Sequence, residues 1–144
     1  MIRLVGALLF LLLLCGCGIG SMKRGNLDMD AALLQMAREM REETIGAFMN
    51  ENCTDAAYLQ EAYALSLDER DYALVHAIRS DIWQEAAIFH CNEENWSIIK
   101  EKAQVRCAQA KEQGIPSFLG TCGCYVYVLI GEDAQWMRTY LEGL

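Results

Sequence analysis

The chain has 144 residues and a formal charge of −8, from 12 basic and 20 acidic residues. That excess of acid excludes a binding face for nucleic acid, which needs a basic patch; Lys23-Arg24 is the only adjacent basic pair. One proline, Pro116, excludes a long polyproline spacer.

The first element is Leu4 to Leu14, an apolar run behind Arg3, followed by the small residues Gly16, Gly18, Gly20 and Ser21. It has the length of a secretory h-region and is short of the roughly 20 apolar residues of a membrane span. Two readings of the run are an ordinary signal cut after Gly20 and an uncleaved anchor from Leu4 to Met22. Leu14-Cys15-Gly16-Cys17 resembles the lipobox of bacterial lipoproteins, with Cys15 at the variable position. The resemblance implies that residues 1–16 are removed and that Cys17 is acylated. Gly18 after the Cys resembles the class sorted to an outer membrane, facing the periplasm, in preference to the inner membrane. Residues 17–26 then form the lipidated end and a short tether, and 27–144 a single domain. The mature chain from Cys17 keeps 11 basic residues against 20 acidic ones, a formal charge of −9.

Helical spacing of Met29, Leu33, Met36, Met40, Ala47 and Phe48 predicts a first helix from Asp28 to about Met49. The methionines read as core filler ahead of soft copper ligands. A polar cluster from Asn50 to Asp55 precedes a short helix, about Ala56 to Leu65. Ser66-Leu67-Asp68-Glu69 has the capping-box pattern and predicts a third helix to about His90. Its stripe is Tyr72, Val75, Ile78, Ile82, Ala86 and Phe89. Asn92 opens a fourth helix carrying Trp96, Ile99, Ala103, Cys107 and Ala110, which Gly114 and Pro116 stop. Ser117 to Cys124 reads as a loop. Tyr125 to Ile130 has strand composition but no visible partner strand, so it reads as a buried extended segment or as part of a helix. Glu132-Asp133 opens a last amphipathic helix with Trp136, Met137, Tyr140 and Leu141. The expected fold is mostly α: a bundle of four to five helices with an irregular, disulfide-tied carboxy-terminal segment.

An exported domain would hold disulfides. Cys53, Cys91, Cys107, Cys122 and Cys124 are the candidates. In an up-and-down bundle Cys53 and Cys91 share one end, and Cys107 meets Cys122 or Cys124. One thiol is left over, open to a bridged homodimer. Cys91–Cys107 is excluded, since about fifteen helical residues separate them by over 20 Å.

No catalytic constellation is visible. The two histidines, His76 and His90, have no partner spacing of a known motif, and Cys122-Gly-Cys124 lacks the Cys-x-x-Cys spacing of redox and zinc sites. His90, Cys91, Cys122 and Cys124 remain the candidates for a thiol-based metal or redox centre. Acid pairs such as Glu42-Glu43, Glu93-Glu94 and Glu132-Asp133 read as solvated helix residues, and a cell-wall hydrolase using carboxylates is the third reading. No cofactor is implied. The leading expectation is a non-catalytic lipoprotein of the bacterial envelope, anchored through Cys17, that binds another envelope protein.

Overall fold

A computed structural model of the chain describes residues 27–39, 53–77 and 81–144. The signal segment, Cys17, the tether, Met40 to Asn52 and Ile78 lie outside the described residues. Four helices and one four-stranded antiparallel sheet make up this part: α1 (Met29–Glu39), α2 (Ala56–Tyr63), β1 (Tyr72–His76), β2 (Glu85–His90), α3 (Trp96–Glu112), β3 (Ser117–Cys122), β4 (Tyr125–Ile130) and α4 (Ala134–Glu142). The strand order is β1-β2-β4-β3.

The mostly helical expectation is therefore corrected to an α/β fold. The region read as a third helix is instead a hairpin of β1 and β2, with Tyr72 paired to Phe89 and His76 to Glu85. Its supposed capping box is a 3-10 turn in which the Asp68 side chain accepts from the Arg70 amide. The supposed loop is β3, which pairs with β4 from Ser117↔Ile130 to Cys122↔Tyr125. The lone strand thus has partners on both sides, because β4 also pairs with β2. Gly123 joins β3 to β4 at φ +58°. A two-residue hairpin turn requires that left-handed backbone at its first central residue, where glycine carries no Cβ penalty.

Side chains alternate across a strand, and here both faces are covered. On the first face Ala73, Val75, Ala86, Ile88, Tyr125, Tyr127 and Leu129 meet Leu33 and Met36 of α1 and Met137 and Leu141 of α4. On the second, Tyr72, Leu74, Ala87, Phe89, Val126, Val128 and Ile130 meet Leu59 and Tyr63 of α2 and Ile99, Ala103 and Ala110 of α3. The result is a three-layer α/β/α sandwich. Double-sided burial makes every residue of β4 buried, the run that a sheet covered on both faces produces.

The same layering overturns the disulfides. Cys53 packs in the first-face core and Cys91 in the second, with the sheet between them. Cys107 lies in the second core, whereas Cys122 and Cys124 pack against the first. All five are free thiols, so none is singled out as the leftover partner of a bridged homodimer. Among the described residues no helix is long and apolar enough to cross a membrane.

Candidate functional site

The site grows from one charged residue in an apolar strand. Glu85 opens β2, faces the second core and is 0% exposed. Asp55 starts α2 by accepting from the Tyr58 amide at 2.9 Å, the bond that holds an exposed helix start. That start aims Tyr58 and Tyr63 at the sheet. From α3, Arg106 reaches across to the same point.

Five donors meet the Glu85 carboxylate. Arg106 donates from Nη2 to Oε2 at 2.6 Å and from Nε to Oε1 at 3.3 Å. The Tyr58 hydroxyl donates to Oε2 at 2.7 Å, and the Trp83 indole N–H to the same oxygen at 3.3 Å. The Tyr63 hydroxyl donates to Oε1. Arg106 Nη2 also donates to the Tyr58 hydroxyl at 2.9 Å, and the guanidinium lies 4.5 Å from the centre of the Trp83 ring. Beyond Tyr58, the network continues to His76, whose ring stacks on it at 3.8 Å and 3°. His76 Nε2 lies 3.4 Å from Asp55, and Nδ1 lies 3.1 Å from the Ala77 carbonyl.

Burial pushes the Glu85 carboxyl upward, but the hydrogen bonds and charge of Arg106, with the two tyrosine hydroxyls, outweigh it and hold it below the usual carboxylate range. Burial and the Glu85 charge push Tyr58 and Tyr63 well above the usual phenol range. Glu85 is thus held as an anion whose acceptor positions are filled, and both phenols are held protonated. A cleft of about 640 Å³ opens beside this network, lined by Tyr58, Trp83, Arg106, Gln109, Glu112 and Gln113 among others.

The residues singled out in the sequence do not form this site. His90 faces Asp71 at 3.5 Å and leans on the Tyr125 ring. Cys91 is buried beside it, its thiol directed at the Phe89 carbonyl at 3.7 Å. Cys122 and Cys124 are half-buried on the other face. Among the described residues no group of three or more His, Cys, Asp or Glu side chains is placed to hold a metal ion. Burial pushes the Cys53 and Cys91 thiols up to about 11 and raises Cys107 as well, the reverse of what a reactive thiolate requires. Glu93-Glu94 and Glu132 are exposed, and Asp133 precedes α4. Glu42-Glu43 lies outside the described residues.

Sequence reading missed Glu85, Arg106 and Trp83 as a unit. One signal was available: a lone acid beside the apolar run Ala86-Ala87-Ile88-Phe89. A charge is rarely buried without a partner, so such an acid asks for an arginine elsewhere in the chain.

Comparison with family models, with curated proteins and with solved structures finds no match for this chain.

Proposed function

We propose that the chain is a non-catalytic interaction module of a bacterial cell envelope, held at the membrane by a lipid on Cys17, with an α/β/α domain that binds another envelope protein. One observation carries the non-catalytic part of the reading. The charged pair that the described residues place in the core, Glu85 with Arg106, is saturated by its own neighbours. A general acid or base needs an exchangeable proton at a reachable atom, whereas each oxygen of Glu85 already accepts two or more hydrogen bonds. The network ties α2, α3 and β2 together and reads as a structural pin.

The lipobox-like quartet supports the anchor. Cys17 to Leu27 allows at most about 35 Å of extended chain, so the domain stays near the bilayer. Two or more acyl chains give stable attachment. The test is crosslinking and affinity capture from envelope extract, with Cys17→Ala as the control. The proposal expects a specific envelope partner recovered with the native chain and reduced with the variant. Repeated recovery of no specific partner counts against it. Burial raises the Cys91 thiol, which weakens the thiol-based alternative at that residue.

A further inference from the structure

The two rims of the sheet differ. At the β1 rim, the Leu74 amide is taken by the Cys53 carbonyl at 2.8 Å. At the β3 rim, no strand lies beyond among the described residues. The Gly131 amide donates to the Pro116 carbonyl at 2.9 Å, one step beyond the Ser117↔Ile130 pair. In an antiparallel ladder, bonded and non-bonded pairs alternate. Phe118, Gly120 and Cys122 therefore bond inward to β4. Ser117, Leu119 and Thr121 turn their backbone N–H and C=O groups outward.

Edge strands of monomeric proteins are guarded by charge, proline or a bulge. β3 reads Ser-Phe-Leu-Gly-Thr-Cys, without charge or proline, and its register runs unbroken through six pairs. A template of this kind accepts another extended strand.

We propose that β3 pairs antiparallel with β3 of a second copy of this chain, about a twofold axis at Leu119, giving a continuous eight-stranded sheet. The outward groups are symmetric about Leu119, so a twofold satisfies them with their own image. Leu119 then faces Leu119, and Ser117 faces Thr121. No charge enters the seam, although the chain carries −8 as a whole. The first face matches as well. Phe118 is set beside Gly120 of the second copy, and the Tyr127 ring already lies on Gly120, where an added Cβ would sit 1.9 Å from it. Arg138 lies 5.1 Å over Phe118, and Glu142 takes the Tyr127 hydroxyl at 3.1 Å and Arg138 at 2.8 Å. The axis thus brings Arg138 of each copy toward Glu142 of the other. That is charge complementarity of a surface with itself.

The test is sedimentation of the full chain in density-matched detergent, with amide exchange read at Leu119 and Thr121. The native chain is expected to be dimeric by about 100 µM, a weak-to-moderate affinity, with both amides protected. Thr121→Lys and Thr121→Pro act at an exposed position whose N–H makes no internal ladder bond, so the fold persists, as circular dichroism verifies. Each should weaken dimerisation at least about tenfold and release protection. A monomeric native chain at that concentration overturns the proposal, as does a dimer that survives both substitutions. A monomer whose two amides stay protected also overturns it, and assigns the rim to another segment of the same chain.

Discussion

Arg106 meets Glu85 at 2.6 Å, between a side chain 14% exposed and one 0% exposed. This pair joins α3 to β2 at the edge of the second core. Its worth lies in what its loss would leave behind. Removing one partner strands a buried charge, whereas removing both with apolar groups of similar volume does not.

Arg106→Ala is therefore expected to cost about 3–5 kcal/mol, and Arg106→Met with Glu85→Met to recover most of that loss. Urea unfolding of the single and double variants measures the difference. Equal losses in the two would show that the charges are not coupled.

The pH profile of stability follows from the same atoms. Glu85 is lowered in the folded state. Its contribution is present above the unfolded value, about 4.3, and is lost as pH falls through the lower folded value. Tyr58 and Tyr63 are raised. Their contribution is present below about pH 10, the unfolded value, and is lost as pH rises toward the folded one. Melting temperature against pH should show a plateau with an acid shoulder below about pH 4 and an alkaline shoulder above about pH 10. Tyr58→Phe with Tyr63→Phe should reduce the alkaline shoulder.

Reading the chain placed the helices whose apolar positions fall on one side. α3 shows Ile99, Ala103, Cys107 and Ala110 as its buried stripe, with Gly114 after its end, and α4 buries Met137 and Leu141. The β1–β2 hairpin was illegible for a physical reason. Strands covered on both faces lose the two-residue alternation that marks a half-buried strand. Tyr72, Val75, Ala86 and Phe89 then also satisfy helical spacing. With β1 and β2 taken as helix, β4 has no partner and the thiols fall on the ends of a bundle that does not exist. The candidate site shared that fate, because Glu85 and Arg106 are 21 residues apart and only the sheet brings them together.

The free thiols make a direct prediction. Alkylation of the unfolded, unreduced chain should label Cys53, Cys91, Cys107, Cys122 and Cys124 alike, and added reductant should leave the melting temperature unchanged. In the native state Cys122 and Cys124, half-buried, should react ahead of Cys53 and Cys91, which burial holds at about 11. Peptide mapping by mass spectrometry reads both.

Gly120 and Tyr127 are fitted to each other. Alanine at 120 would put a Cβ 1.9 Å from the Tyr127 ring, which is 5% exposed and bonded to Glu142. The ring must leave the strand surface, and Gly120→Ala should cost about 1–3 kcal/mol. A chemical denaturation midpoint unchanged by the substitution would show that the ring moves freely.

The Tyr72 hydroxyl is buried, and the Asp55 backbone amide beside it leaves it without a well-formed hydrogen bond. Leaving a polar group in that state is unfavourable. Tyr72→Phe should leave stability unchanged or raise it by up to about 1 kcal/mol, read by the same denaturation. A loss above about 1 kcal/mol would mean that the hydroxyl has a partner.

Intact mass of the chain extracted from the membrane fraction is the most direct test of the anchored-module account. It predicts a polypeptide that begins at Cys17 and carries a diacylglyceryl group and an additional acyl chain, all lost in Cys17→Ala. A chain that retains Met1, or one cut after Gly20 with no lipid mass, would contradict it.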